Sequence, residues 1–109
     1  MFDFLRRVLG GGGMEDVREA VTNGALIIDV RTGGEYRGGH VAGSRNIPLD
    51  ELEHALDTLP KDKPIVFCCA SGMRSGNAAH IAKARGFVAL NGGPWTNVDS
   101  IRTRNGTRE

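Results

Sequence analysis

Two cysteines, Cys68 and Cys69, stand side by side at the end of the most apolar run of the chain. A thiol becomes a useful nucleophile once its surroundings stabilise the anion, so the neighbours of each sulfur decide its chemistry. Cys69 is followed by Ala70, Ser71, Gly72, Met73, Arg74 and Ser75. Gly72 permits the positive φ of a tight turn, and successive backbone N–H groups in such a turn point inward as an anion-binding nest. A helix predicted to begin at Ser75 adds the positive end of its dipole at the same place. Arg74 and the hydroxyls of Ser71 and Ser75 are available to hydrogen-bond a thiolate or a substrate oxyanion. Nucleophilic attack by a Cys69 thiolate is the chemistry this pattern predicts. On a strand Cys68 points to the opposite face, where packing and a redox-resolving role are its two readings.

Other residues offer less. Asp29 ends an apolar run and is followed at once by Val30 and Arg31. A general base is one reading, and a carboxylate paired with loop amides or an Arg to hold the connection is the simpler one. His40, between Gly39 and Val41, reads as a hydrogen-bonded pin of its loop or as a proton shuttle. His54 and His80 fall on predicted helices, and no Cys or His stands at metal-ligand spacing, so no metal site is expected. Tyr36 and Trp95 lie beside loops that border the same region, with packing the simpler role for Tyr36.

The elements that must position these residues alternate. Residues 14–22 predict a helix, with Met14, Val17, Ala20 and Val21 at helical spacing and Asn23-Gly24 as its stop. Residues 25–30 read as a strand buried on both faces. Five glycines make 31–43 an irregular connection, 44–49 is a short strand stopped by Pro48, and Asp50 caps a helix through Leu56 with Glu53 completing its box. Residues 61–63 form a polar turn, 64–69 the strongest strand, 75–85 a helix ended by Gly86, and 87–90 the last strand. Gly92, Gly93 and Pro94 then open a final helix over 95–101. This order predicts an α/β architecture with a parallel sheet, whose ligand sites lie beyond the carboxyl ends of strands. Cys69 lies at such an end, with residues 70–74 turning the chain from strand to helix.

At 109 residues one domain is expected, divided as an amphipathic segment and glycine hinge over 1–13, the domain proper over 14–101, and a polar tail over 102–109. Phe4, Leu5, Val8 and Leu9 share one helical face, so residues 2–9 either fold back on the domain or contact a membrane or partner. Fourteen Lys and Arg against thirteen Asp and Glu leave a formal charge of +1, too little excess to point to nucleic acid. Hydrophobic residues at 39% and charged residues at 25% are those of an ordinary globular protein. Adjacent cysteines make a poor staple, which favours a reducing compartment. Asp3, Arg6 and Arg7 interrupt the first apolar stretch, and no stretch approaches membrane-spanning length, so a cytoplasmic location is expected.

Asp29-Val30-Arg31, Glu35-Tyr36, Gly39-His40-Val41-Ala42-Gly43-Ser44 and Asn46-Ile47-Pro48, followed by Cys69-Ala70-Ser71-Gly72-Met73-Arg74-Ser75, resemble the two signature regions of a rhodanese domain. The likeness runs over about residues 14–100, and the ending at Asn91-Gly92-Gly93 is similar to the single-domain phage-shock type. The resemblance implies a three-layer domain with a central, mostly parallel sheet of four or five strands and helices on both faces. It implies a sulfurtransferase in which Cys69 alternates between thiolate and persulfide, residues 70–75 hold the persulfide, and Asp29 and Arg31 support the scaffold. The implied donor is a small sulfane-sulfur compound such as thiosulfate, and the acceptor a thiol, cyanide or a protein, with no cofactor. Ala70 and Ser71 are neutral where thiosulfate enzymes of the tandem-domain type carry basic residues, and Glu35 stands at a position that can be Arg in those. Two other functions remain open at this point. One is a sulfur-carrier or regulatory module without turnover. The other is a small cysteine phosphatase or arsenate reductase, although four residues separate Cys69 from Arg74 where such phosphatases have five.

Overall fold

The computed structural model describes residues 2–9 and 12–104 of the chain. Four strands, β1 (Leu26–Asp29), β2 (Arg45–Asn46), β3 (Ile65–Cys69) and β4 (Ala89–Pro94), form one sheet in the order β2-β1-β3-β4. Every neighbouring pair is parallel. The helices are α1 (Phe2–Leu9), α2 (Met14–Thr22), α3 (Gly33–Arg37), α4 (Leu52–Ala55), α5 (Met73–Ala84) and α6 (Trp95–Arg104).

β3 is central, and all five of its residues are buried. Alternation along the strand divides them between two cores. Ile65, Phe67 and Cys69 join Ile28 and Val30 beneath Leu52 and Leu56 of the α4 region and Ala78, Ala79 and Ala82 of α5. Val66 and Cys68 join Ile27 and Leu90 beneath α1, α2 and α6, through Val8, Val17, Ala20, Val98 and Ile101. The result is the expected three-layer arrangement, with four strands and helices on both faces.

Several elements differ from the sequence expectation. The glycine-laden connection over 31–43 contains helix α3, started by Thr32, whose hydroxyl accepts from the Glu35 N–H at 3.2 Å while the Glu35 carboxylate accepts from the Thr32 N–H at 3.0 Å. This reciprocal cap outweighs the helix-weakening effect of Gly33 and Gly34. The strand expected over 44–49 shrinks to two residues. Asp50 caps no helix; it lies in a 3-10 turn over Leu49–Glu51 that leads into α4. β4 runs on through Gly92, Gly93 and Pro94, so these residues end a strand instead of opening a helix, and α6 continues past Ile101 to Arg104. Gly92 is needed there because a Cβ would lie 2.7 Å from Val98 and 2.8 Å from Val66. Of the tail expected over 102–109, residues 105–109 lie outside the described residues.

α1 packs back on the domain. Val8 is completely buried, and the Arg7 guanidinium donates to Asp16 at 2.6 Å and Glu19 at 2.9 Å on α2. Phe4 is half-buried and Leu5 exposed, while the Leu9 side chain, and residues 10 and 11 of the expected hinge, lie outside the described residues. Burying Val8 favours this docking by about 2 kcal/mol, before the entropy of ordering the segment is counted against it. Among the described residues no helix is long and apolar enough to cross a membrane.

Candidate active site

The chain leaves β3 at Cys69 and enters α5 at Met73, so three residues make the turn where five were expected. The reason is Gly72, which takes φ +105° and ψ −9° as the residue that caps α5. A left-handed residue at that point reverses the chain in one step, which lets the helix start two residues early. Met73 and Arg74 are consequently the first residues of α5, and Met73 projects into solvent, 82% exposed.

The tightness of the turn brings its donors onto the sulfur. Cys69 Sγ accepts from the Gly72 N–H at 3.0 Å and the Ser75 N–H at 3.3 Å, and lies 3.3 Å from the Ser75 hydroxyl. Cys69 and Ser75 have no exposed surface. Burial is the largest single influence on the thiol and acts to raise its pKa. The Ser75 hydroxyl and the N–H groups of Ser75, Gly72 and Ser71 together outweigh it, and the net effect holds the Cys69 thiol below its ordinary value. Cys68, across the sheet, has no such donors among the described residues. Burial first, and then the Asp29 carboxylate, push its pKa up to about 12, against a smaller opposing effect of Arg31.

A residue the sequence reading left without a role completes the turn. Asn91 pairs with Phe67, two residues before Cys69, so alternation puts its side chain on the face of Cys69 and α5, ahead of a one-residue register shift between Phe67 and Cys69. Asn91 Nδ2 donates to the Gly72 carbonyl at 3.0 Å, and Oδ1 accepts from the Gly93 N–H at 2.9 Å and from the Ser75 hydroxyl at 2.6 Å. Ser75 has one hydroxyl proton, so Asn91 and a Cys69 thiolate compete for it.

Asp29 and Arg31 make a buried scaffold on the other side of the sheet end. The Arg31 guanidinium donates to both Asp29 oxygens, at 2.7 to 3.0 Å, and to the Gly39 carbonyl at 2.7 Å, and it sits 5.1 Å from the Trp95 ring centroid. Removing either partner would leave an unpaired buried charge at a cost of about 3–5 kcal/mol. Trp95 therefore supports this pair and backs against Gly39. His40 stacks on Tyr36 with ring centroids 3.7 Å apart, and its Nδ1 lies 2.7 Å from the Tyr36 carbonyl. The Tyr36 hydroxyl donates to the Ser44 carbonyl at 2.6 Å.

Arg74 does not point at the sulfur as expected. Its guanidinium forms a two-point ion pair with Glu35 of α3, Nη1 to Oε1 at 2.9 Å and Nη2 to Oε2 at 3.1 Å. The Arg74 hydrogen bonds first, and the Thr32 N–H second, hold the Glu35 carboxyl down to about 2. The signal for this pair was present in the sequence as Thr32-x-x-Glu35, a capping box that fixes where the carboxylate stands. A cleft lined by Val30, Thr32, Pro48, Leu49, Asp50 and Arg74 opens beside it.

A cysteine on a strand-to-helix turn, with the turn's amides on its sulfur, agrees with the family comparison. Residues 14–95 match the model of the rhodanese-like domain. The chain belongs to the rhodanese-like domain family. It is 32% identical over 100 residues to the thiosulfate sulfurtransferase GlpE of Pseudomonas aeruginosa, covering 87% of this chain and 91% of that protein. It is 42% identical over 66 residues to YqhL of Bacillus subtilis, covering 61% of this chain, and spans about half (52%) of that protein's length. Among solved structures it is similar to a rhodanese with anions from E. coli, with a TM-score of 0.63 and 32% identity over 67% of this chain and 89% of the other. It is also similar to reduced Bacillus anthracis CoADR-RHD, with a TM-score of 0.67 and 34% identity over 84% of this chain and 17% of the other. The rhodanese-like core thus includes β1 to β4 and reaches the first residue of α6.

Proposed function

We propose that this rhodanese-like domain is a sulfurtransferase that carries sulfane sulfur on Cys69 as a persulfide. The observation that carries this reading is the set of groups around Cys69 Sγ: the N–H groups of Gly72 and Ser75, which donate to it, and the Ser75 hydroxyl, which can turn to it, all within 3.3 Å. They favour the thiolate before attack and offer hydrogen bonds to sulfur-centred charge after it. With thiosulfate as donor, the Cys69 thiolate attacks the outer sulfur, the S–S bond of thiosulfate breaks, and sulfite leaves with the electron pair. Cyanide, or the thiolate of a small molecule or protein, then takes the outer sulfur of the persulfide and restores the Cys69 thiolate. Charge and electrons balance in both halves, and the cycle calls on no metal or organic cofactor.

The site fits phosphoryl transfer less well. An arginine serving a tetrahedral oxyanion must be free to face it, and Arg74 is engaged by Glu35. The three-residue turn over 70–72 also closes tightly on one sulfur atom.

The test is direct. Reduced protein incubated with thiosulfate gains the mass of one sulfur, and cyanide then releases that sulfur as thiocyanate. Cys69→Ala abolishes both signals, and Cys68→Ala retains both. Sulfur found on Cys68, or hydrolysis of phosphate esters without persulfide formation, would sink the proposal.

A further inference from the structure

We propose that Glu35 sets which sulfur donors Cys69 accepts: by holding Arg74 in a two-point ion pair it withdraws the one cation of residues 70–75 from incoming anions, and so selects donors of low negative charge over the thiosulfate dianion. This rests on the reading of Cys69 as a sulfur carrier and names the substrate class of that site.

Arg74 is the natural ligand for an anionic donor, because it is the second residue of α5, just after the turn that holds the sulfur, and a Cys69 thiolate is among the charges that act on it. Each of its terminal nitrogens donates to one Glu35 oxygen, at 2.9 and 3.1 Å. This fork-to-fork geometry is the strong form of the Arg–carboxylate pair. Glu35 is itself fixed, since its Oε1 also accepts from the Thr32 N–H at 3.0 Å and the Thr32 hydroxyl at 3.1 Å. A dianion that reaches for the N–H groups the pair leaves on Arg74 meets a charge already neutralised and lies beside the Glu35 carboxylate, which repels it. Nothing else on the turn compensates. Ala70 and Ser71 are uncharged, Met73 offers an exposed apolar side chain, and the cleft beside Arg74 carries Asp50 among apolar residues.

A donor without this handicap is the persulfide of a small thiol, R–S–SH, with R neutral or cationic. The Cys69 thiolate attacks the outer sulfur, the S–S bond of the donor breaks, and R–S⁻ leaves with the electron pair. Cys69 keeps S–SH, the same product that thiosulfate yields after sulfite departs and a proton is taken up.

The experiment compares the full chain with Glu35→Gln. Glutamine keeps an oxygen for the Thr32 N–H, so α3 retains its cap while the charge is removed. Loading of Cys69 is followed by mass against the concentration of thiosulfate and, separately, of cysteamine persulfide made from cystamine and sulfide, at low and high salt. The ratio of loading efficiencies, thiosulfate over cysteamine persulfide, is expected to rise about tenfold in Glu35→Gln at low salt, chiefly through a lower half-saturating thiosulfate concentration. The gain is expected to shrink at high salt, which a merely structural effect of the substitution would not do. A ratio unchanged within twofold, or a rise that ignores salt, overturns the role of Glu35. If both donors load the unaltered chain and only the ratio fails to move, the persulfide reading survives without this inference. If neither donor loads Cys69, the persulfide reading itself falls and takes this inference with it.

Discussion

Cys68 and Cys69 are adjacent, equally buried and on the same strand, yet β3 presents them to opposite faces of the sheet and the two environments treat a thiol in opposite ways. On one face Cys69 meets the end of α5 and a turn whose amides converge on its sulfur. On the other, Cys68 packs among Ile27, Val66, Leu90 and Val98 with the Asp29 carboxylate near enough to oppose a second negative charge. Burial alone would raise both pKa values. The difference lies in the turn and helix start after Cys69, whose Ser75 hydroxyl and converging N–H groups hold one thiol below its ordinary value while the other is pushed above it.

The largest expected effect comes from breaking that conformation. Gly72→Ala places a side chain at φ +105°, with its Cβ 3.4 Å from Gly93, so the turn must relax and move the Gly72 N–H off the sulfur. Sulfur loading of Cys69 is expected to fall about a hundredfold, the scale of losing one preorganised donor to a developing charge. Gly24→Ala is the control, because Gly24 has φ +89° with nothing within 4 Å of an added Cβ and lies at the end of α2. Equal losses of loading in the two variants would show that strain alone, and not the aim of the Gly72 N–H, governs Cys69.

How much of this was legible in the sequence follows from the range of each interaction. The alternation of strands and helices, the helix over residues 14–22 and a turn after Cys69 come from local apolar periodicity and from Gly72, and they were readable. The Asp29–Arg31 pair was readable as well, because both partners lie within one short stretch. What escaped were contacts made across the fold. Asn91 meets Ser75 and Gly72 through the pairing of β4 with β3, 16 and 19 positions away in sequence, and Arg74 meets Glu35 across 39 positions. Helix α3 escaped for a different reason: Gly33 and Gly34 hide a Thr32–Glu35 cap whose strength lies in its geometry. The expected Asp50 cap failed for want of a following helix long enough to need it.

A second expectation separates the two thiols by the sign of their pH dependence. Above pH 9, the ordinary value, the unfolded chain loses the Cys68 proton while the folded chain keeps it until about pH 12. The unfolded state then binds fewer protons, so stability falls as pH rises. The opposite holds for Cys69, whose contribution is present above the ordinary thiol value and is lost as pH falls through its lowered folded value. Between pH 9 and 10.5 Cys68 is expected to cost the native state about 2 kcal/mol, and Cys68→Ala to remove that part of the alkaline decline. Urea unfolding of both proteins across this range is the measurement; parallel curves would mean that Cys68 ionises normally in the folded chain.

The smallest effect sharpens the comparison most, because it concerns one proton. Ser75 donates to Asn91 at 2.6 Å while its oxygen lies 3.3 Å from Cys69, so in the resting thiol the S–H donates to Ser75 and the hydroxyl proton stays on Asn91. When the thiolate forms, the hydroxyl turns to the sulfur and the Asn91 bond is given up. Ser75→Ala removes the donor, and below the midpoint of the pH–rate profile loading is expected to slow about tenfold, the profile shifting to higher pH. Asn91→Ala removes the competing acceptor, and the midpoint is expected to shift the other way. If Asn91 acts on the sulfur only through Ser75, the double variant has the Ser75→Ala midpoint, and the Asn91 substitution changes nothing once the hydroxyl is gone. A midpoint that still moves in the double variant would assign Asn91 a separate effect through the Gly72 carbonyl, and the turn would then be set by the asparagine as much as by the glycine.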